Sequence, residues 1–364
     1  MRYGWFCQGG CFLTFKKRAS TMNCLKKKRN KNREVIIMKK RMISVWQATF
    51  CMALLLGNAA VAGEAGRVGS LKGPTSMGLL SFMEKEKEAE EPNFKFEMMT
   101  AADELSAKFI KGEIDFALIP ANMASILYHK TEGNVQVADI NTLGVLYLVT
   151  GREDIRSVAD LQGNTVYMTG KGQTPEYVLR YLLEANGLAE EDVTVEFKSE
   201  ATEVVSVLAQ EPSAIAVLPQ PFATVACAKS GNKNMVLSDL TKEWDAVGTG
   251  TLVTGVTVVK KDFAQANPEL VEQFLEAHEA SAAFVNENPA ETARLTVSYG
   301  IMEQAEAAEM AIPKCNITYL DGKDMQEALT GYLQVLMEQN PDSIGGTIPG
   351  EDFYYNENGK ENKN

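Results

Sequence analysis

Short apolar runs alternate with amphipathic segments between about residues 66 and 260. Apolar runs of about four to eight residues are typical of buried strands, whereas apolar residues at helical spacing indicate helices. The runs predict strands over 67–71, 94–98, 115–119, 135–137, 143–149, 165–168, 193–197, 214–218 and 253–259. Helices are predicted between them, over 76–85, 101–111, 157–161, 175–186 and 200–209, and from about residues 120 and 219. This alternation predicts an α/β protein with mixed, mostly parallel sheets flanked by helices.

The same strand–loop–helix arrangement occurs twice, in residues 66–150 and in residues 155–240. Beyond the strand at 253–259 the pattern is helical, with helices predicted over 268–286, 289–299, 305–312 and 324–339. Because these helices have no further sheet to cover, we expect them to pack on the first unit. The sequence thus predicts two lobes joined by hinge crossings near Thr150 and Val253. Lobe I comprises 63–150 and 253–364, with a flexible C-terminal tail, and lobe II comprises 151–252.

Four predicted strands end in a small polar loop that begins a helix. These loops are Gly73–Met77, Ile119–Asn122, Thr169–Thr174 and Leu218–Pro221. In open α/β sheets, ligands bind beyond the carboxyl ends of the strands, where helix N-termini offer free N–H donors. We expect Thr174 to be the N-cap of its helix and Pro175 the first helical residue. Facing lobes would form a polar cleft for an anion or small polar metabolite, although a single such loop is ordinary turn chemistry.

Aromatic and histidine side chains are the other candidates for a site. Tyr147 and Trp244 lie near the predicted crossings and could stack on a ligand, although both also suit a core. His129 and His278 lie in helical segments beside charged residues, so we expect surface or hydrogen-bonded histidines. No H-E-x-x-H, G-x-S-x-G or Walker A pattern occurs, and no cysteines have metal-ligand spacing. The sequence therefore predicts no catalytic residue, no metal and no cofactor.

The N-terminal region has the features of a secretory signal peptide. A basic segment at Met38 precedes an apolar run over 42–57 and the small-residue site Ala60–Ala62. The run is shorter than the roughly 20 residues of a membrane span, the alternative interpretation. We therefore treat residues 1–62 as a doubtful extension plus signal peptide, with cleavage near Ala62. We expect export to the periplasm or cell surface. The lipoprotein cysteine that would follow the run is missing, which leaves the mode of membrane retention open.

The charge distribution excludes one class of partner. The chain has 36 Lys and Arg against 48 Asp and Glu, for a formal net charge of −12. Residues 1–62 contain 13 of the bases and only one acid, so the remaining 302 residues carry −24. Binding to nucleic acid requires a basic surface for phosphate contacts, so we exclude it, and we expect only peripheral contact with a membrane.

Taken together, these features resemble the substrate-binding proteins of ABC transporters, in particular the nitrate/sulfonate/taurine and thiamine-precursor binding group. The resemblance covers about residues 66–355 and rests on the order of four segments, Gly73–Leu79, Asp115–Asn122, Thr169–Glu176 and Gly345–Tyr355. It implies a two-lobed type II periplasmic-binding-protein fold that closes by hinge motion. The family's binding positions fall on Pro74, Thr75, Ser76, Met77, Asn122, Thr169, Gly170, Gly172, Gln173, Thr174, Pro219, Gln220 and Pro221.

The resemblance implies an extracytoplasmic monomer that captures a small polar or heterocyclic metabolite and delivers it to an ABC permease with its ATPase. Polar side chains and loop N–H groups would bind the ligand, and Tyr147 or Trp244 would cover an apolar or ring portion. Lys171 is the only basic residue in these loops, which weakens the case for a strongly anionic ligand. Sulfonates, pyrimidines and other heterocycles remain open. The alternative functions are a lyase or synthase on the same bilobal fold, and a ligand sensor.

Overall fold

The computed structural model describes residues 65–231, 236–247 and 250–356, so the predicted signal peptide lies outside the described residues. The strands are β1 Gly66–Leu71, β2 Phe94–Met99, β3 Phe116–Pro120, β4 Val135–Leu143, β5 Leu146–Thr150, β6 Thr165–Met168, β7 Thr194–Phe197, β8 Ile215–Pro219, β9 Val236–Asp239, β10 Val253–Lys260 and β11 Ile317–Leu320. The helices are α1 Pro74–Met77, α2 Leu80–Glu88, α3 Ala102–Lys111, α4 Ala121–Lys130, α5 Thr174–Ala185, α6 Ala201–Gln210, α7 Phe222–Lys229, α8 Leu240–Val247, α9 Lys261–Ala266, α10 Pro268–Glu287, α11 Pro289–Ser298, α12 Ala305–Ala311 and α13 Gly322–Gln339.

The strands form two mixed sheets. The first sheet has the order β11-β4-β10-β3-β1-β2 and the second β7-β6-β8-β5-β9. Strands that follow crossover helices pair in parallel, as β1 does with β2 and β3, and β6 with β7 and β8. Antiparallel pairings involve β5, β10 or β11. The sheets are therefore mixed, as predicted, but less parallel than expected, because β5 and β10 each enter a sheet from elements of the other and run antiparallel to their neighbours.

The chain changes sheet at Gly144 and Val145. Strand β4 belongs to the first sheet, whereas β5 pairs with β8 and β9 in the second. The crossing therefore lies at residues 144–145, whereas the sequence predicted it near Thr150. The difference arises because residues 146–150 form β5, a separate strand that already pairs in the second sheet. The return passes from α8 to β10, which begins at Val253.

Strand β4 is longer than its apolar run predicted, because its second half contains buried polar residues. Thr257 Oγ1 on β10 donates to Asp139 Oδ1 at 2.8 Å, and Asn141 Nδ2 donates to Thr257 Oγ1 at 3.2 Å. Such side chains hide a strand from a hydrophobicity pattern, since their hydrogen bonds to neighbours offset the cost of burial. The sequence pattern does not predict β9, β11, α8 and α9, which are short segments with weak periodicity.

Phenylalanine side chains dominate the core beneath the first sheet. Phe116 and Phe274 stack with ring centroids 4.3 Å apart, and Phe82 and Phe94 meet edge to face at 5.2 Å. Phe274 lies on α10, which packs on α2 and β11. Truncating one such side chain typically costs about 3–5 kcal/mol, so this late helix is integral to the first sheet's core.

Helix α13 lies against elements of both sheets. It packs on β4 and β10 of the first sheet and on α5, which follows β6 of the second. Its residues Tyr332, Leu333 and Leu336 are fully buried there. None of the helices among the described residues has the length and apolarity that a membrane crossing requires.

Candidate ligand-binding cleft

Two loops that follow strands of different sheets meet through one hydrogen bond. Thr174, after β6, donates from Oγ1 to Oδ1 of Asn122, after β3, at 3.2 Å. Asn122 Nδ2 in turn donates to the carbonyl oxygen of Ser343 at 3.2 Å. Both side chains are buried. The structure thus brings together two of the residues that the sequence predicted to share a cleft.

The loop after β1 turns most of its polar groups inward. Ser76 Oγ donates to the Leu71 carbonyl at 2.6 Å and lies 2.6 Å from Ser70 Oγ. Met77 is fully buried in the core of the first sheet. Thr75, half-buried, donates to the Leu71 carbonyl at 3.0 Å. Ser76 and Met77, predicted to line the cleft, are therefore structural residues here, because the four-residue helix α1 directs them toward β1.

Half-buried Pro74 and Thr75 remain at the opening of this loop. Gly73 precedes them with φ 149°, a backbone conformation that favours glycine. Strand β10 approaches Thr75 closely at Gly255, where a Cβ atom would lie 2.8 Å from Thr75 Cγ2. A Cβ atom there would also lie 2.6 Å from Asn141 Oδ1, so glycine is the residue that fits this position of the strand.

The loop after β6 is stabilised by an internal carboxylate. The N–H of Gly172 donates to Glu176 Oε2 at 2.6 Å, and Arg180 Nε donates to Glu176 Oε1 at 2.8 Å. Gly170 and Gly172 have φ of 82° and 71°, so glycine suits both turns. The Gly172 N–H is therefore already hydrogen-bonded to the Glu176 carboxylate.

The cap of helix α5 differs from the prediction. Gln173 is the N-cap residue, Thr174 is the first helical residue and Pro175 the second. The Thr174 hydroxyl leaves its own helix and binds Asn122 instead, which local sequence spacing does not reveal. Gln173 is exposed, whereas Thr169 and Gly170 are half-buried.

The loop after β8 contains a cis peptide bond between Gln220 and Pro221. The Gln220 side chain is buried, and its Oε1 accepts from Thr224 Oγ1 at 2.9 Å. Its backbone N–H donates to the Val145 carbonyl at 2.9 Å, next to the change of sheet. Pro219, half-buried, ends β8. This loop therefore lies at the junction of the two sheets.

A groove of about 590 Å³ extends from Pro221 between parts of the chain on either side of the junction. Residues of α6 and α7 line one wall, and residues 300–304 with Ala307 line the other. Phe222 and Val225 on one wall and Met302 on the other make much of the groove apolar. The groove beside Pro221 is therefore large and apolar enough to accommodate an apolar group of a ligand.

The two aromatic candidates have different environments. Tyr147 is nearly buried, its hydroxyl donates to the Lys314 carbonyl at 3.3 Å, and burial together with Asp239 raises its pKa. Trp244 is fully buried, and its Nε1 donates to the Gly250 carbonyl at 2.9 Å. The prediction that Trp244 covers a ligand is therefore not supported, because its ring is a core residue. Its neighbours are the rings of Tyr181 and Tyr332.

The histidines are hydrogen-bonded, as one of the two interpretations predicted. His129 Nε2 lies 2.8 Å from the Thr347 carbonyl. His278 is fully buried, with Nδ1 3.1 Å from Asp139 Oδ2. Among the described residues no three histidine, cysteine or acidic side chains form a group that could hold a metal ion.

Two residues near the junction were not among the sequence candidates. Tyr332, on α13, is fully buried beside Trp244, with its ring centroid 5.9 Å from the indole. Thr241 lies beside Gly144, where the chain changes sheet. The spacing of apolar residues on α13 is consistent with burial of Tyr332, but it does not predict that α13 packs against α5.

Comparison with known proteins bears on both the fold and the family. Residues 135–292 match the model of the NMT1/THI5 like family. The structure of an ABC transporter protein from Parabacteroides distasonis superimposes with a TM-score of 0.68 at 24% identity, over 80% of this chain and 99% of that one. The chain has the fold of an ABC-transporter substrate-binding protein. The resemblance and fold class predicted from the sequence are thus confirmed.

Two periplasmic binding proteins superimpose at lower identity. The periplasmic aliphatic sulphonate binding protein SsuA of Escherichia coli gives a TM-score of 0.63 at 16% identity, over 82% of this chain and 98% of that one. The periplasmic nitrate-binding protein NrtA of Synechocystis gives 0.55 at 13% identity, over 76% and 81%. No curated protein sequence matches this chain significantly. The similarity to SsuA and NrtA extends to the fold and leaves the ligand of this chain open.

Proposed function

We propose that the protein is an extracytoplasmic solute-binding protein that captures a small polar or heterocyclic metabolite and delivers it to an ABC import permease with its ATPase. The observation that carries the proposal is the bond between Thr174 and Asn122 across the two sheets. Hinge motion that opened the lobes would break this bond, and closure would restore it around a ligand. A second side-chain hydrogen bond to α5 comes from α13, where Gln339 Nε2 donates to Glu184 Oε2 at 2.7 Å.

The cleft suits an uncharged ligand better than an oxyanion. Asn122, Thr174 and Gln220 offer amide and hydroxyl groups, which bind neutral polar molecules. The N–H of Gly172, which an anion could use, already binds the Glu176 carboxylate. Lys171 is exposed, with its Nζ 5.9 Å from the centre of the Phe197 ring. SsuA and NrtA are described as sulphonate- and nitrate-binding, so this ligand would differ in charge from theirs.

We further propose that the protein binds its ligand without transforming it. Its histidines are engaged in hydrogen bonds, and the pKa of the Cys227 and Cys315 thiols is raised by burial, which disfavours the reactive thiolate. Structural relatives that are named as binding components support this role. The proposed role implies that the protein is exported and acts as a monomer. A sensor that uses the same cleft is the alternative.

The test is a thermal-shift screen of the purified protein against uncharged aminopyrimidines, taurine and other sulfonates, nitrate, riboflavin and aromatic acids. A ligand that binds only the folded state raises the melting temperature saturably. We expect an uncharged heterocycle to do so and to be recovered unchanged. Recovery of an altered compound would support an enzyme. A response to nitrate or sulfonates alone would contradict the proposed ligand class.

A further inference from the structure

The groove beside Pro221 lies between two of the loops that the sequence predicted to share a cleft. One wall begins at Pro221, which follows β8 of the second sheet, and continues along α7. The opposite wall includes residues 300–304 and adjoins the loop after β1 of the first sheet, since a Cβ atom at Gly300 would lie 4.0 Å from Lys72 Nζ. The groove is therefore close to the carboxyl ends of strands from both sheets, where α/β proteins bind ligands.

Helix α6, which also lines the groove, has the same relation to its sheet. It begins shortly after β7 ends, and its Thr202 and Val205 face the groove. Because β7 pairs in parallel with β6, the carboxyl ends of both strands lie at one edge of the sheet. The groove thus shares this edge with the loop Thr169–Thr174, which belongs to the proposed cleft.

The two walls of the groove belong to the hydrophobic cores of different sheets. Phe222 and Val225 pack against the core of the second sheet, whereas Ile301 and Met302 pack against the core of the first. Helix α7 also contacts α12, which contributes Ala307 to the wall formed by residues 300–304. An occupant of the groove would therefore contact both halves of the protein, and it would stabilise the arrangement in which the halves are close.

The lining of the groove is apolar inside and polar at its edge. The apolar residues are buried or half-buried and include Val205, Pro221, Phe222, Val225, Met302 and Ala307. The exposed edge has Lys229 on one wall and Glu303 on the other. Because these two charges are opposite in sign, the edge favours neither an anion nor a cation. An uncharged group with apolar surface is the occupant that suits this lining.

The size of the groove restricts the ligand further. Its volume of about 590 Å³ lies within the range of about 300–1,000 Å³ that is usual for small-molecule pockets. Nitrate and taurine have few atoms, and either one would leave most of this volume to water. A ligand that fills the groove carries an alkyl or aryl group in addition to the polar part that the neighbouring loops bind.

We propose that the groove binds an alkyl or aryl group of an uncharged solute, and that Met302 determines specificity for this group. The inference rests on the proposed function, because it adds an apolar subsite to the same cleft. Met302 lines the wall opposite Phe222 and Val225, and its flexible thioether adapts to the shape of a neighbouring group. It lies outside the segments on which the family resemblance rests and outside the family-model match over residues 135–292.

The first test uses N-phenyl-1-naphthylamine, an uncharged dye whose fluorescence rises in apolar surroundings, with the variant Met302→Gln. Glutamine is similar in length to methionine but places a polar amide in the groove. The matched control is Met310→Gln, because Met310 lies on α12, is 54% exposed and does not line the groove. We expect saturable dye binding that Met302→Gln weakens about 5-fold or more and Met310→Gln leaves unchanged. Absence of saturable binding, or equal effects of the two variants, would overturn the inference.

The second test compares 2-aminopyrimidine with 2-anilinopyrimidine by calorimetry, since the two uncharged solutes differ by one phenyl group. We expect the phenyl group to strengthen binding about 10-fold or more in the wild type, and Met302→Gln to remove most of this gain. Equal affinity of the two solutes for the wild type would overturn the apolar subsite and leave the proposed function intact. If neither solute binds, the proposed ligand class fails, and the dye still decides whether the groove is an apolar site.

A variant at an exposed position guards against a failure of Met302→Gln to fold. Ala228 is exposed on α7 and lines the groove, so Ala228→Glu adds a charge there without disturbing the core. The control is Ala209→Glu, at an exposed position of α6 that does not line the groove. Ala228→Glu should melt close to the wild-type temperature and bind the dye about 5-fold or more weakly, whereas Ala209→Glu should bind it normally. Wild-type dye affinity in Ala228→Glu would contradict the proposed location of the site.

Discussion

Asn122 Oδ1 accepts a hydrogen bond from Thr174 Oγ1 at 3.2 Å, although the two residues follow strands of different sheets. Each residue belongs to a loop at the carboxyl end of a strand, β3 for Asn122 and β6 for Thr174. The bond therefore connects the two sheets directly at the proposed cleft. Under the proposed hinge motion this bond would form only when the lobes close, and the first prediction concerns this dependence.

Thr174→Val should weaken ligand binding by roughly 10-fold with little change in ligand-free stability. Valine preserves the shape of the side chain but removes the hydroxyl that binds Asn122, so the closed form loses stabilisation relative to the open form. Calorimetry of binding and thermal melting separate the two effects. Thr296→Val is the control, since its buried hydroxyl donates to the Thr292 carbonyl at 2.7 Å within α11. Unchanged affinity in Thr174→Val would exclude a role for the bond in closure.

Ser76→Ala should lower stability rather than affinity. The Ser76 hydroxyl is fully buried and donates to the Leu71 carbonyl at 2.6 Å. Losing a buried hydrogen bond of this kind costs about 1 kcal/mol and leaves the carbonyl and Ser70 without this partner. Urea denaturation should show the loss, and ligand affinity should stay close to wild type. A large loss of affinity with unchanged stability would show instead that Ser76 contacts the ligand.

Trp244→Ala should destabilise the fold by about 3–5 kcal/mol, the usual cost of truncating a large core aromatic. The indole is fully buried between Tyr181 and Tyr332, and its N–H binds the Gly250 carbonyl. Chemical denaturation measures the effect, and Trp244→Phe, which keeps most of the packing, should lose considerably less. A Trp244→Ala variant of wild-type stability would show that the ring is not a core residue.

Asp352 should contribute stability that acid removes. Its carboxylate accepts from Tyr128 Oη at 2.7 Å and from Lys261 Nζ at 3.0 Å, and these two bonds lower its pKa below the ordinary 3.8. The folded state therefore binds this proton less readily than the unfolded state. The contribution is complete above the ordinary pKa and is lost as pH falls through the lower, folded-state value.

Thermal melting of wild type and Asp352→Asn across this acidic range tests the prediction. The variant should melt below wild type at neutral pH, and the difference should shrink as pH falls below about 3.8. Glu351→Gln provides an exposed acid as the adjacent control. A difference between wild type and Asp352→Asn that does not change with pH would contradict the assignment of the charge.

Local sequence determined the secondary structure and the class of fold. The strand predicted over 165–168 coincides with β6, and the helix expected from Pro268 begins there, because proline suits the first turn of a helix. The alternation of these elements was sufficient to predict two sheets flanked by helices. The polar loops at the ends of β1, β3, β6 and β8 were also found from the sequence, since glycine, proline and small polar residues specify turns locally.

Tertiary structure alone decided which way the loop side chains face. Ser76 and Met77 turn into the core and Thr174 binds the other sheet, although all three lie in loops of similar composition. The partners of a side chain come from distant parts of the chain, and no local pattern specifies them. Tyr332 is the clearest example, because its spacing on α13 predicts burial, whereas only the packing of that helix against α5 places its hydroxyl at the junction.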